Sequence, residues 1–319
     1  MSRAYLGVDG GKSSTIALIG DEQGRVIGYG RAGPSNHIEE VEHGRIQFVR
    51  AIQDCVSEAC MQAGLNFDTA RFRAACLGFS GGPVDKEPIL REILRCEQMT
   101  VTHDALIALA GATCGEPGLI VIAGTGSIAF GRNAVGRTAR AGGWGYIFGD
   151  EGSGFDIARA SLRAALRFEE GWGPPTVLHQ VLLAESGAKD ANEALHRFYT
   201  ADFPRPRIAS FAKAIDRAAS NGDAVAIQIL ENAGQQLAMF AAAVRNQLFA
   251  AGEPACVSYI GGVFRSTRVL ERFRMLSELE KSNRVGAPVY GPAAGALIEA
   301  YRTAHADVSL SGVPEVEKQ

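Results

Sequence analysis

The sequence predicts an α/β protein built from two related units, and three patterns support this prediction. Each half of the chain opens with an apolar strand, a glycine-rich turn and a returning strand, with the turns at 9–14 and 124–127. Apolar residues at helical spacing follow the first hairpin, most clearly over 48–63. Several strands end in paired glycines or an aspartate, and open α/β sheets bind ligands at such strand ends. We therefore expect duplicated α/β units facing each other across a cleft, each with one phosphate-binding hairpin.

The first unit is predicted to run β-β-β-α-β-α-β-α. Short apolar runs bounded by turn residues predict its strands, at 5–8, 15–19, 26–30, 73–79 and 99–102. Helical spacing predicts its helices, a long one through 48–63 and shorter ones at 88–95 and 105–113.

The second unit is predicted to start again with strands at 119–123 and 128–131 and a third strand leading to Gly142. A mainly helical stretch over 152–252, a strand at 257–260 and a last helix at 293–302 follow, and the tail after Ala304 is expected to fray. We expect a first domain at 1–115, with the C-terminal helix 293–306 packed on it. The second domain is expected at 116–292 and carries a helical insertion.

The bulk properties exclude several classes of protein. A length of 319 residues suggests two domains, and a net charge of −3 argues against nucleic acid or an anionic membrane as a partner. No apolar run approaches the roughly 20 residues of a membrane span, and the first residues lack a signal-peptide layout. The six cysteines form no C-x-x-C pair, so buried reduced thiols are favoured over a metal site. We expect a cytoplasmic protein.

Two literal motif matches are misleading. Residues 11–13 read Gly-Lys-Ser, like the end of a P-loop, but position 6 holds leucine where that motif needs glycine. The glycines at 28, 30 and 33 match a dinucleotide fingerprint, but Pro34 follows and no helix begins there.

The first hairpin combines an aspartate with groups that bind phosphate. Asp9 ends an apolar strand, and the next two glycines let the backbone approach an anion. Lys12 and Ser13 add a charge and a hydroxyl, and the carboxylate of Asp9 can hold Mg²⁺ directly or through water. An ordinary β-turn would have a similar sequence, so this segment alone leaves both interpretations open.

Asp104 stands where a strand ends and a helix begins. Aspartate is a common helix N-cap, and that role is the simpler interpretation. A carboxylate at a strand end could instead accept the proton of a sugar hydroxyl during phosphoryl transfer.

The second hairpin turn, 124–127, repeats the phosphate-binding chemistry, and an unusual glycine-rich stretch follows it at 142–154. Glycines bracket Trp144, and Asp150 comes just before a helix. The stretch could be a turn with Trp144 in the core and Asp150 as a cap. It could also form a sugar-binding wall of aromatic, backbone and carboxylate groups.

These residues together resemble the bacterial and animal N-acetylglucosamine kinases of the actin/sugar-kinase/heat-shock-chaperone ATPase superfamily, in the branch that also holds the benzoyl-CoA reductase activator ATPases. The matching segments are 7–11, 33–37, 77–82, 102–105, 124–127, 142–145 and 149–153. They occur in order, cover about residues 5–160, and are followed by a looser match at 261–264.

The resemblance implies two ribonuclease-H-like domains, as in actin-like ATPases, around a cleft for ATP and sugar. It makes Asp104 the catalytic base and a substrate contact, and it gives Asp9 the metal. Its sugar-binding residues are Asn36, Gly143, Trp144, Gly145 and Asp150. Its ATP-binding residues are Gly10, Gly11, Lys12, Ser13, Thr125, Gly126, Ala209, Gly262 and Ser266. Lys12 and Ser13 depart from the family, which usually has glycine and threonine at these places.

The implied reaction is transfer of the ATP γ-phosphate, with Mg²⁺, to the 6-hydroxyl of an amino sugar, with N-acetylglucosamine favoured. Glucosamine and N-acetylmuramic acid are alternative substrates, and the family suggests a homodimer. An iron–sulfur activator ATPase of a 2-hydroxyacyl-CoA dehydratase or benzoyl-CoA reductase is a different alternative, against which the sugar-side segments argue. A third is a switch ATPase of the actin or chaperone type, which would need a larger partner surface.

Overall fold

The computed structural model describes residues 4–35, 43–80 and 85–318. The strands are β1 Ala4–Gly10, β2 Thr15–Gly20, β3 Val26–Ala32, β4 Phe72–Phe79, β5 Cys96–His103, β6 Gly118–Ala123, β7 Ser127–Arg132, β8 Thr138–Gly142, β9 Ala255–Ile260 and β10 Asn283–Gly286. The helices are α1 His43–Gln62, α2 Glu87–Ile93, α3 Asp104–Thr113, α4 Gly154–Glu169, α5 Leu178–Ser186, α6 Ala191–Phe198, α7 Arg205–Ser210, α8 Ala212–Ser220, α9 Ala224–Leu248, α10 Thr267–Ser277 and α11 Pro292–Thr303.

The chain divides into two compact units, each with its own sheet. The first unit is Met1–Pro117 with Ala287–Gln319, and the second is Gly118–Gly286. The first sheet has the strand order β3-β2-β1-β4-β5, and the second has β10-β9-β6-β7-β8. Numbered within each unit, both sheets have the order 3-2-1-4-5, in which an antiparallel meander precedes two parallel strands. The predicted duplication of an α/β unit is therefore confirmed at the level of topology.

The first sheet is covered on both faces because its strands are apolar throughout. Leu6 and Val8 point to the face packed by α1, whereas Tyr5 points to the face packed by α11. The two clusters follow the alternation of side chains along a strand. Gly7 lies against α11 so closely that a Cβ there would come within 2.2 Å of the Leu297 backbone nitrogen.

The C-terminal tail is ordered on the first unit, so the expectation that it frays is wrong. The backbone nitrogen of Val26 donates to the carbonyl of Ser311 (2.9 Å), and Val313 is buried. Further on, the Gly291 nitrogen donates to the carbonyl of Glu317 (2.8 Å). The tail is held by backbone pairing and by the apolar side chains that it contributes to the α11 face.

The predicted helical stretch over 152–252 is confirmed, and its helices pack against the second sheet. The 25-residue α9 contacts β6, β7 and β8, and its buried side chains join those of β6 and β9 in one apolar core. Strand β10 was missed by the sequence analysis, since Asn283–Gly286 contains a single apolar side chain, Val285. Within the described residues, we find no helix whose length and apolar character suit a membrane span.

Predicted and observed elements agree closely in the first unit. The order β-β-β-α-β-α-β-α is confirmed, although β5 begins at Cys96 rather than at residue 99. Thr15–Gly20 is a strand, so the turn before it is not a P-loop.

Candidate active site

Three parallel strands of the first unit end at one edge of its sheet, and each end carries a polar side chain. The register aligns Asp9 on β1 with Gly78 on β4, and Gly78 with Thr102 on β5. Just beyond these positions β4 leads to Ser80, and β5 leads to Asp104. Asp9 and Asp104, chosen from the sequence on independent grounds, therefore lie at the same carboxyl edge, where open α/β sheets bind ligands.

The carboxylate of Asp104 is fixed by two hydrogen bonds. Ser80 Oγ donates to its Oδ2 at 2.7 Å, and the backbone nitrogen of Ala105 donates to its Oδ1 at 2.8 Å. Asp104 is the first residue of α3, and the N-cap position belongs to His103, whose side chain makes no capping bond. The simple N-cap interpretation of Asp104 is therefore wrong. Asp104 is partly exposed, but its carboxylate is less free to rotate than that of a typical surface aspartate, because both oxygens accept hydrogen bonds.

Asp9 is a carboxylate whose charge is poorly compensated by the protein. Its pKa is raised to about 7, chiefly by burial and to a smaller extent by the nearby carboxyls of Glu317 and Asp104. Such a position favours a proton or a cation. One carboxylate is a suitable anchor for Mg²⁺, which usually keeps several waters and takes its other ligands from substrate phosphates. In the described part of the chain there is no cluster of three metal-ligating side chains, so Asp9 fits this mode rather than a closed protein cage.

The turn after Asp9 is shaped for close backbone approach. The Gly11 nitrogen donates to the Ser14 carbonyl at 3.0 Å, and Lys12 and Ser13 are exposed. A Cβ on Gly10 would lie 2.2 Å from the Phe79 ring, so only glycine fits there.

The segment before Asn36 is tied to this hairpin. Thr15 Oγ1 donates to the Gly33 carbonyl at 2.7 Å and is hydrogen-bonded with the buried Ser35 hydroxyl at 2.8 Å. Asn36 itself lies outside the described residues, and its sugar-binding role stays a prediction.

The second unit contains a cavity of about 420 Å³ that collects predicted nucleotide-binding residues. Its lining includes Thr125, Ala209, Gly262 and Ser266, which come from four separate elements or turns. Lys213, Asp216 and Arg265 also line it and were not predicted. Charged groups around a cavity of this size suit a nucleoside with its phosphates.

A sharp turn after β9 opens this cavity. Gly261 has φ +116°, and a Cβ there would lie 2.2 Å from the Ala123 carbonyl oxygen. A Cβ on Gly262, in contrast, would meet nothing within 4 Å. The glycine at 261 is required by the fold, while the open space at 262 is available to a ligand.

Asp150 supports the β6–β7 turn from behind. It is only 4% exposed, has a left-handed backbone (φ +62°), and accepts the Ser127 N–H on Oδ1 at 3.1 Å. Its Oδ2 forms an ion pair with Arg205, the first residue of α7. Arg205 was missed from the sequence, where a lone arginine after a proline belongs to no motif.

The loop before Asp150 presents aromatic groups to solvent. Trp144 is 65% exposed, so the alternative that it is a core residue is wrong, and the Arg140 guanidinium stacks on it at 4.5 Å. Gly142, Gly143 and Gly145 all have positive φ, which explains why the loop is built from glycine.

A larger cavity of about 630 Å³ lies among α4, α5 and α6 of the second unit. Its walls are mainly apolar, with Leu162, Leu182 and Phe198 among them, and none of the predicted site residues lines it. Its composition does not match a nucleotide site.

Comparison with known proteins identifies the family. The BadF/BadG/BcrA/BcrD ATPase family matches residues 6–300. An N-acetylmuramic acid/N-acetylglucosamine kinase of Clostridium acetobutylicum is 32% identical over 280 residues, which are 86% of this chain and 90% of that protein. The glucosamine kinase GspK of Vibrio cholerae is 29% identical over 253 residues, 76% of this chain and 81% of that protein.

Solved structures agree with the topology. A Chromobacterium violaceum protein provisionally assigned as an N-acetylglucosamine kinase has a TM-score of 0.70 and 25% identity, over 93% of this chain and 98% of that one. A ROK family glucokinase of Streptomyces griseus, solved with glucose and AMPPNP, has a TM-score of 0.54 and 19% identity, over 93% of this chain and 98% of that one, and shows a shared fold. The match over nearly the whole chain, on top of the duplicated sheets and the strand-end carboxylates, shows that the chain belongs to the BadF/BadG/BcrA/BcrD ATPase family.

Proposed function

We propose that this protein is an ATP-dependent kinase that phosphorylates the 6-hydroxyl of an amino sugar, with N-acetylglucosamine as the expected substrate. The observation that carries the proposal is the single cavity lined by Thr125, Ala209, Gly262 and Ser266. The family resemblance assigned these four residues as nucleotide contacts. The relatives named as amino sugar kinases support the same assignment.

The adenosine of ATP is proposed to occupy this cavity in the second unit. The backbone amides of the two glycine-rich turns, with Gly10, Gly11, Thr125 and Gly126, would bind the phosphates. Lys12 would add a positive charge and Ser13 a hydroxyl, and both side chains are exposed.

Asp9 would hold Mg²⁺, which supplies charge neutralisation for the transferring phosphoryl group. The poorly compensated carboxylate supports this role, since a cation would relieve the burial cost that raises its pKa.

Asp104 is proposed as the general base. Its carboxylate is oriented by Ser80 and by the Ala105 amide, and it would accept the proton of the sugar 6-hydroxyl as the phosphoryl group departs from ATP. Placing that hydroxyl in line with the γ-phosphate is the main task left to the protein, because phosphoryl transfer depends chiefly on positioning and charge.

The sugar is proposed to bind through Asn36, Gly143, Gly145 and the exposed Trp144. The resemblance adds Asp150, whose buried carboxylate already contacts Ser127 and Arg205. The relatives differ in the sugar that their names give, so glucosamine and N-acetylmuramic acid remain alternative substrates. A cytoplasmic homodimer is part of the same proposal and follows the resemblance alone.

The test is ADP release from Mg-ATP, coupled to an optical readout, with six conditions. These are N-acetylglucosamine, glucosamine, N-acetylmuramic acid, N-acetylmannosamine, glucose and no sugar. Strong stimulation by one amino sugar supports the proposal and names the substrate. ADP release that no sugar changes, from folded protein that binds ATP, contradicts it, and anaerobic iron analysis would then test the activator ATPase alternative.

A further inference from the structure

We propose that Arg205 is a positioning residue that holds Asp150 in the geometry needed at the sugar-binding loop. This inference rests on the proposed function, in which the loop that ends at Asp150 binds the sugar. Nothing in the sequence motifs points to Arg205, and the structure alone brings it to the site.

Arg205 and the Ser127 amide together engage both oxygens of the Asp150 carboxylate, which is almost completely buried. Asp150 Oδ2 pairs with Arg205 Nη2, while Oδ1 accepts the backbone N–H of Ser127. The side chain of Asp150 is 5% exposed, and that of Arg205 is 33% exposed. A buried carboxylate without its cation is costly, so removing the Arg205 guanidinium would leave Asp150 without compensation for its burial.

Gly126 gives independent evidence that the pair is built into the turn. A Cβ at this position would lie 2.8 Å from Arg205 Nη2 and 2.8 Å from Asp150 Oδ1. Both partners thus fill the space that a side chain would need. The ion pair therefore explains why position 126 is glycine, independently of any phosphate that the 124–127 turn binds.

Arg205 also fixes the aromatic part of the loop. Its guanidinium carbon lies 5.0 Å from the ring centroid of Tyr146 and 5.9 Å from that of Phe155, within the range of cation–π attraction. Tyr146 belongs to the exposed loop that contains Trp144, and Phe155 stands in the first turn of α4. One guanidinium therefore touches the loop, the residue that ends it and the helix that follows.

The position of Arg205 on α7 links this loop to the nucleotide cavity. Pro206 and Ala209, on the same short helix, line that cavity. The Ala209 carbonyl oxygen also lies 3.1 Å from the place where a Cβ of Gly154 would be. Arg205, which contacts the loop before Asp150, is thus adjacent in sequence to Pro206, which lines the cavity.

A double-mutant cycle tests whether Arg205 acts through Asp150. Arg205→Met keeps the length of the side chain without its charge, and Asp150→Asn keeps the shape without its charge. Each single variant is expected to lower kcat/KM for the sugar by about 10- to 100-fold, because each breaks a buried pair. The kcat/KM of the double variant should lie within about threefold of that of the less active single variant, since the two residues share one interaction.

Two further variants sharpen the reading. Arg205→Lys keeps a positive charge near Asp150 and should recover most of the loss, although it cannot reproduce the planar contacts with both rings. Arg207→Met is the matched control on the same helix. Arg207 stacks on Phe203 (4.0 Å) and donates to the Asp202 carbonyl (2.7 Å), and its loss should change kcat/KM by less than twofold.

The kinetic pattern separates positioning from a general loss of structure. The KM for the sugar should rise more than the KM for ATP, and the thermal midpoint of the double variant should not fall below that of Asp150→Asn. Two results would overturn the inference. One is a loss of kcat/KM in the double variant equal to the product of the two single-variant losses, and the other is normal sugar kinetics in Arg205→Met. The wild-type sugar panel tests the proposed function separately. If wild type were inactive with every sugar, the same cycle read on thermal unfolding would still show whether the pair couples.

Discussion

Asp104 owes its orientation to Ser80, a contact that links two neighbouring strand ends. The Ser80 hydroxyl donates at 2.7 Å, and the amide of Ala105 donates to the other carboxylate oxygen. In the proposed reaction, an oxygen that is held in this way would need little reorganisation to accept the proton of a sugar hydroxyl.

Asp104→Asn should therefore lower kcat by at least about 10²-fold, the usual range for removing a positioned base. The amide has nearly the same shape and can still accept from Ser80 or Ala105, so the fold should persist. Steady-state ADP release measures the effect, and Asp68→Asn, the same change at an exposed position, is the control. Near-normal turnover in folded Asp104→Asn would remove Asp104 from the role of base.

Asp9 gives a prediction on pH. Its pKa rises from 3.8 to about 7 on folding, through burial first and then through Glu317 and Asp104. A raised pKa means that the folded state binds the proton more tightly than the unfolded state does. The resulting contribution of Asp9 to the free energy of unfolding is fully present below pH 4 and is lost as the pH rises to 7. The shift corresponds to at most about 4 kcal/mol.

Asp9→Asn, which carries no charge at any pH, should become more stable relative to wild type as the pH rises from 4 to 7. Thermal unfolding without nucleotide or Mg²⁺ measures this difference at each pH. A stability difference that does not change across this range would contradict the raised pKa.

The strand-end carboxylates could be predicted from sequence, whereas their partners could not. Asp9 and Asp104 each follow an apolar run directly, and that local pattern is visible in one dimension. Ser80 lies 24 positions from Asp104, and Glu317 acts on Asp9 from the other end of the chain. In the same way, Arg205 lies 55 positions from its partner Asp150. No local pattern records such a contact.

The C-terminal tail shows the same limit for a longer segment. The tail after Ala304 was expected to fray because terminal residues are commonly disordered. The structure instead buries Val313 and Glu317, with Glu317 only 3% exposed. The Glu317 carboxylate accepts the Ala294 amide at 3.0 Å in the first turn of α11, and burial raises the pKa of this carboxyl.

Glu317→Ala should destabilise the protein by about 2 kcal/mol, because it leaves amides at the start of α11 without an acceptor. Glu317→Gln keeps one carbonyl acceptor and should cost less. Chemical denaturation measures both, and Glu315→Ala serves as the control because that side chain is 85% exposed. Equal stabilities for Glu317→Ala and Glu315→Ala would show that the tail does not support α11.

The hairpin strands and the long helix α1 were the elements that the sequence predicted best. The strands β1, β2, β6 and β7 have continuous apolar runs interrupted by glycine turns, and the helix α1 has a clear 3.6-residue period. Strand β10 lacked such a run, since its pairing with β9 rather than its composition makes it a strand.

The two units repeat one sheet topology but have diverged in what their hairpins carry. The turn of the first hairpin carries the exposed Lys12 and Ser13, and its first strand ends near the poorly compensated carboxylate of Asp9. The second hairpin turn packs against the Asp150–Arg205 pair and borders the 420 Å³ cavity that we propose for the nucleoside. The two units thus share a topology and differ in the groups around their turns, and the proposed function gives each unit a separate part of the chemistry.

The assignment of the cavity to the second unit predicts where AMP, a nucleotide without a γ-phosphate, binds. Since every lining residue of the 420 Å³ cavity lies in Gly118–Gly286, AMP should slow amide hydrogen exchange in that unit around 124–125, 209–216 and 262–266. Gly262→Ala has room for its Cβ in the folded chain, so it should leave the thermal midpoint within about 2 °C while intruding on the ligand and weakening AMP binding at least about tenfold.

Gly286→Ala is the matched control, because a Cβ there also meets nothing within 4 Å and the position does not line the cavity. It should bind AMP like wild type. Exchange protection that AMP induces equally in both units, or normal AMP binding by Gly262→Ala, would mean that the nucleoside occupies a different site. The cavity lined by Thr125, Ala209 and Ser266 would then lose its assignment, and with it the observation on which the kinase proposal depends.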